Sequence, residues 1–254
     1  MRQWATTASC PLQCARTVAV QHRRERVLCT PHRRCEDITC SGCAGRSWSG
    51  VPVSEGAGTV AGMSHLFVGV DCETSGRVFS NGARLIQAGF SVRDAAGTLQ
   101  VFSELVRPRR PYLWEEEAFQ VHHINRWDVE SADDADTVDA HARSWLHHQF
   151  PDTELVAVGL NIGSFDFPFL HDSLPSTMTL FTHRSVDLNS VFYTLDGQTG
   201  LDGNRWTWLA WKRAAAQFAQ QQLADQPGQA HDAGWDAASA IIMHEWLISH
   251  IRTT

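Results

Sequence analysis

The stretch His65-Leu-Phe-Val-Gly-Val-Asp71, followed at once by Cys72-Glu73, decides how the rest of the chain is read. A short apolar run that ends in acids has the pattern of a buried strand. Successive strand side chains alternate between faces, so Asp71 and Glu73, two residues apart, point the same way. Two carboxylates on one face repel unless a cation lies between them. Alone, such a pair is more often a solvated turn than a metal site.

Working outward, residues 84–92 (RLIQAGFSV) and 99–107 (LQVFSELVR) have strand composition and are joined by a turn at 94–97. Three short strands in succession predict an antiparallel meander. The apolar period then lengthens. Residues 133–150 carry Val138, Ala142, Trp145 and Leu146 at helical spacing, behind an acidic start (Asp133, Asp134, Asp136, Asp139) expected to be solvated. Residues 155–160 (LVAVGL) form a second buried strand, 164–171 a short helix and 185–188 a brief strand. Two helices close the chain, 205–223 and 233–251, separated by the breaker Gln226-Pro227-Gly228. This order predicts an α/β domain: a mixed sheet of about five strands flanked by helices.

Composition divides the chain. Residues 1–62 hold eight Arg against four acids, a net of +4, and six of the seven Cys. The remainder is acidic, with 13 basic against 24 acidic residues. The first piece shows neither strand alternation nor a helical stripe, and the expectation is a disordered leader, or upstream sequence before a start at Met63. Cys29-x2-His32 and Cys40-x2-Cys43 have zinc-like pair spacing, but too few residues separate the pairs for the usual finger. No apolar run reaches the roughly 20 residues of a membrane span, which implies no membrane partner and a cytoplasmic protein. An acidic domain grips long nucleic acid poorly by charge alone. Bound cations would change that balance at a chain end.

Two further elements bear on chemistry. In Asn161-Ile-Gly-Ser-Phe165-Asp166, Asn161 ends a buried strand, Ser164 is the expected N-cap, and Asp166 falls in the first turn of the next helix. Open α/β sheets place their sites beyond the carboxyl ends of strands, where both acid elements fall. In His231-Asp-Ala-Gly-Trp-Asp236, the histidine follows the Pro-Gly breaker and the second acid lies in the last helix. An imidazole beside fixed carboxylates suits a general base, since its free pKa is near neutrality. In the Trp-rich helix, Trp208 and Trp211 share a face suited to core packing, leaving Arg205 and Trp206 as candidates for substrate contact.

D-x-E, then N-x3-F-D, then H-x4-D, in that order, resembles the DEDD superfamily of 3′-to-5′ exonucleases, in its His-bearing DnaQ-like branch. The resemblance spans residues 63–254, and Val121-His-His-Ile124 is similar to the stretch before the family's first long helix. It implies an RNase H-like fold and release of nucleoside monophosphates from 3′ ends of single-stranded DNA, in proofreading or repair. It further implies two Mg²⁺ or Mn²⁺ ions held by Asp71, Glu73, Asp166 and Asp236, with His231 as base. Thr74, His122, Asn161 and Phe165 would contact the terminal nucleotide, and Asp187 would be structural. A proofreading role would make a DNA polymerase the partner. The spacing of the second motif is closer to B-family polymerase exonuclease domains, which carry Tyr rather than His in the third motif, and Cys72 stands where an aliphatic residue or Thr is usual. An RNA-trimming enzyme and a catalytically silent nucleic-acid-binding module are the alternatives. Silent modules typically lose a ligand, and here every position is filled.

Overall fold

The computed structural model describes residues 65–251, apart from 95, 152 and 227. The leader, its cysteine pairs and the start at Met63 lie outside the described residues. The opening run forms β1 (His65–Thr74), extending past both acids. It pairs antiparallel with β2 (Leu85–Arg93), which pairs antiparallel with β3 (Leu99–Leu105), as the meander requires. On its other side β1 runs parallel to β4 (Glu154–Gly159), and β4 runs parallel to β5 (Phe181–Asp187). The mixed sheet has the order β3-β2-β1-β4-β5, so the strand that carries the acid pair is central.

Helices cover both faces. After β3 come α1 (Glu116–His122), α2 (Arg126–Glu130) and α3 (Ala135–Gln149). Between β4 and β5 lie α4 (Asp166–Ser173) and α5 (Pro175–Met178). Three more follow β5: α6 (Leu188–Thr194), α7 (Trp208–Gln222) and α8 (Ala233–Ile251). The strand alternation of β1 divides the core. Val68, Val70 and Cys72 face a cluster that includes Val138, Ala142 and Leu146 of α3 and Phe169 and Leu170 of α4. Phe67 faces the other cluster, with Trp211 of α7 and Ala238, Ile241 and Ile242 of α8.

Three local expectations need correction. Ser164 does not cap α4: its hydroxyl donates to the Asn161 carbonyl at 3.2 Å, because residues 161–165 turn before the helix begins. Asp139 is buried rather than solvated, since its carboxylate accepts the Ser176 and Thr177 N–H groups at the start of α5. Trp206 turns inward, its ring edge-on to Trp211 at 5.0 Å and its Nε1 donating to Asp202 at 2.8 Å. Asp134, by contrast, caps α3 by accepting the Thr137 N–H.

The seat of α8 matters most for the site. A Cβ on Gly69 would lie 2.0 Å from the Ala237 carbonyl oxygen, and one on Gly89 2.0 Å from that of Ala233. Glycine at these two strand positions lets the helix backbone rest directly on β1 and β2. The helix answers with small residues, Ala233, Gly234, Ala237 and Ala238.

Gly89→Ala should therefore cost about 1–3 kcal/mol of unfolding free energy in urea, as overpacking against fixed backbone does. Gly163→Ala, whose methyl meets nothing within 4 Å, should stay within about 0.5 kcal/mol of wild type. Equal effects would mean that α8 is not seated on β2 in this way.

Candidate active site

Three elements deliver four carboxylates to one end of the sheet. Asp71 and Glu73 stand on β1, directly across from Gly89 and Gln87 of β2. The register slips between Glu73 and Thr74, a bulge of the kind that re-aims side chains beside sites. From one face, Asp166 in the first turn of α4 reaches the strand end, where its Oδ1 accepts the Cys72 N–H at 3.0 Å. From the other face, Asp236 in the first turn of α8 comes down beside Glu73. Ligand atoms of Glu73, His231 and Asp236 lie within 4.8 Å of one another.

The electrostatics follow from that crowding. Burial, then the charges of Asp236, Asp166 and Asp232, lifts the Glu73 carboxyl from the ordinary 4.5 to about 8. Burial lifts Asp166 to about 7, against the opposing hydrogen bonds from Cys72. Asp71 is raised well above the carboxylate range by burial and then by Asp166, Asp236 and Glu73. Asp236 is raised by burial, with the His231 N–H pulling the other way. Among the described residues no Lys or Arg forms an ion pair with any of the four. A carboxylate cluster with no basic partner fits a hard, oxygen-preferring cation.

The predicted histidine and asparagine are both held in unusual backbone. His231 (φ 64), Asn161 (φ 61) and His123 (φ 56) are the non-glycine positive-φ positions among the described residues. Each adjoins or belongs to a predicted site segment, as strained conformers tend to. The His231 N–H donates to Asp236 Oδ2 at 2.7 Å, which anchors the loop through its backbone and leaves the exposed imidazole untethered by that bond. The Asn161 N–H donates to Asp187 Oδ1 at 3.1 Å, and its side-chain oxygen accepts from Asn189 at 2.8 Å. Asp187 also caps α6, the structural role expected of it. Phe165 packs on Phe169 at 5.5 Å, and Thr74 is buried with its hydroxyl bonded to the Gly76 carbonyl.

His122 is buried at the end of α1. Its Nδ1 accepts the Ile124 N–H at 2.9 Å, so the neutral ring carries its proton on Nε2. That Nε2 is buried without a hydrogen-bond partner. Burial, then the neighbouring His123, lowers the ring to about 4, with the Thr74 backbone opposing and His231 adding a small push. The result is a neutral N–H donor beside the Thr74 backbone.

Two residues of this neighbourhood were given no role from the sequence. Asp232 caps α8 by accepting the Gly234 N–H at 3.1 Å, and its charge adds to those on Asp71 and Glu73. Gln87, buried opposite Glu73, accepts the Ala233 N–H at 3.2 Å and donates to Ser103 at 3.1 Å. It ties the start of α8 to the sheet. A glutamine early in a largely apolar strand was its only signal.

No known family model matches the chain, and no curated protein does. Solved structures do. A crystal structure of E. coli exonuclease I in complex with a dT13 oligonucleotide superposes with a TM-score of 0.53 at 16% identity, over 74% of this chain and 42% of that one. The fold is shared with exonuclease I. The complex of that enzyme with dA16 gives 0.50 at 16% identity, over 74% and 41%. A product-bound form gives 0.50 at 16%, over 74% and 44%. The chain thus spans about two fifths of the length of exonuclease I.

The raised carboxylates predict a pH-dependent stability. In chelator, the folded chain holds protons on Glu73 up to about pH 8 that the unfolded chain releases near 4.5. Stability is then greatest below the ordinary carboxylate range and falls as pH rises through that window. The melting temperature in EDTA should be lower at pH 8 than at pH 5, and Mg²⁺ should raise it more at pH 8. A Mg²⁺ effect that is larger at pH 5 would contradict the assignment.

Proposed function

We propose that the chain is a 3′-to-5′ exonuclease that releases nucleoside monophosphates from single-stranded DNA ends. The observation that carries this reading is the convergence beside His231 of Asp71, Glu73, Asp166 and Asp236, with no Lys or Arg paired to them among the described residues. The four carboxylates would hold two divalent cations, Mg²⁺ or Mn²⁺. Bound there, such ions lower the pKa of water and stabilise charge on the attacking and leaving oxygens.

The chain's own residues supply the rest. His231 accepts the proton of the attacking water, its backbone anchored by the bond to Asp236. His122 donates from Nε2 to the terminal nucleotide, which satisfies a buried N–H that otherwise has no partner. The Thr74 backbone and Asn161 flank that nucleotide, and Phe165 packs beside it. The likeness to exonuclease I, solved with dA16 and dT13, supports single-stranded DNA as the substrate. A proofreading or repair role, with a polymerase partner, and a domain that starts at Met63 belong to the same proposal. No helix among the described residues is long and apolar enough to cross a membrane, which is compatible with the cytoplasmic placement proposed.

The test is digestion of a 5′-labelled single strand with Mg²⁺, run beside a matched RNA strand. Wild type should give a ladder that shortens from the 3′ end. Asp71→Ala or Asp236→Ala removes several kcal/mol of charge stabilisation, on the order of 10³-fold in rate. His231→Ala should lose roughly 10²–10⁴-fold, as a general base does, while still binding Mg²⁺. Laddering that survives Asp71→Ala would sink the proposal, and preference for the RNA strand would move the substrate to RNA.

A further inference from the structure

Beyond the carboxylates, a second surface begins at His122. The His122 ring stands edge-on to Trp114 at 6.1 Å. The Arg126 guanidinium lies over both the Trp114 ring at 5.9 Å and the Tyr112 ring at 5.4 Å. Next in the chain is Trp127, 76% exposed, with Val121 and Leu113 exposed nearby in the sequence. An indole this open buries little area, so folding gains little from it. Trp127 is five residues from His122, at most about 18 Å even for extended chain.

Residues 63–254 carry 13 basic and 24 acidic side chains, whereas residues 107–126 carry four Arg (Arg107, Arg109, Arg110 and Arg126) against three Glu (Glu115, Glu116 and Glu117). They pair with Asp134, Asp136 and Glu130 on the surface. The Arg107–Asp134 and Arg109–Asp136 pairs are exposed and screened by solvent, so these guanidinium groups can exchange a carboxylate for a phosphate. Aromatic faces interleaved with guanidinium groups suit a single strand, whose bases stack without regard to sequence. A second copy of the chain would cover Trp127 too, but at the expense of bringing two acidic domains together.

We infer that Trp127, the Tyr112–Arg126–Trp114 stack and the neighbouring Arg109 and Arg110 hold the nucleotides upstream of the 3′ end. The inference rests on the exonuclease reading and adds a strand-length requirement to it. Long strands reach from the carboxylates past His122 to Trp127; the shortest do not.

The test measures binding of 5′-fluorescein-labelled dT12 and dT3 to the full chain by anisotropy, with Ca²⁺ replacing Mg²⁺. Trp127→Ala should raise the Kd for dT12 about tenfold and that for dT3 less than about twofold, the loss of one stacked base. Trp127→Phe should recover most of the dT12 affinity. An unchanged dT12 Kd in Trp127→Ala overturns the inference. So does a substitution that shifts sedimentation of the strand-free protein, which would make the surface a contact between copies. Wild-type digestion of dT12 with Mg²⁺ is run alongside: its absence would sink the exonuclease reading, whereas digestion with an unchanged Trp127→Ala Kd would sink only this surface.

Discussion

The burial of four carboxyls, Asp71, Glu73, Asp166 and Asp236, at one strand end is the constraint on which the rest of the structure turns. Each carboxyl is pushed above its ordinary range by burial, and Asp71 and Glu73 further by its neighbours. A fold with no use for that crowding would have dispersed it, since one apolar substitution relieves both burial and repulsion. Instead, separate parts of the fold drive the acids together. The β1 strand end supplies two, the α4 start supplies one through its bond to the Cys72 N–H, and α8 supplies the last.

The cost of holding them is met by packing around the strand end and on both faces of the sheet. Gly69 and Gly89 let α8 lie against the sheet backbone, and its first turn is tied down through Gln87 and Asp232. Two buried clusters, one on each face of the sheet, keep β1 central. The end of β1 is thus open to residues from both helical layers at once. Strain is placed there as well, in the left-handed backbone of Asn161 and His231.

Much of this was legible in the sequence, for identifiable reasons. Alternation and apolar runs locate β1, β2, β3 and β4, and the strong apolar content of 233–251 locates α8 to the residue. The short helices α1, α2, α5 and α6 have four to seven residues, too few for a helical period to declare itself. Only the tail of β5 was anticipated, because its middle residues His183, Arg184 and Ser185 are exposed and polar. Motif order located the acids and His231, since each sits at the end of a readable element. Gln87 was not legible as a site neighbour: it meets the helix start 146 residues later in the chain, a contact no local pattern encodes. The unpartnered Nε2 of His122 depends in the same way on burial by distant residues.

The central claim is that these carboxylates are built around divalent cations, and proton release measures it most directly. Burial and crowding raise Glu73 to about 8, and burial raises Asp166 to about 7, whereas a metal takes the deprotonated ligand. Titrating Mg²⁺ into the chain by calorimetry, in two buffers of different ionisation enthalpy, counts the protons displaced. The structure predicts binding whose heat changes with the buffer in the sense of net proton release, and loss of that binding in Asp71→Asn. Binding with no buffer dependence, or binding that persists unchanged in Asp71→Asn, would contradict it.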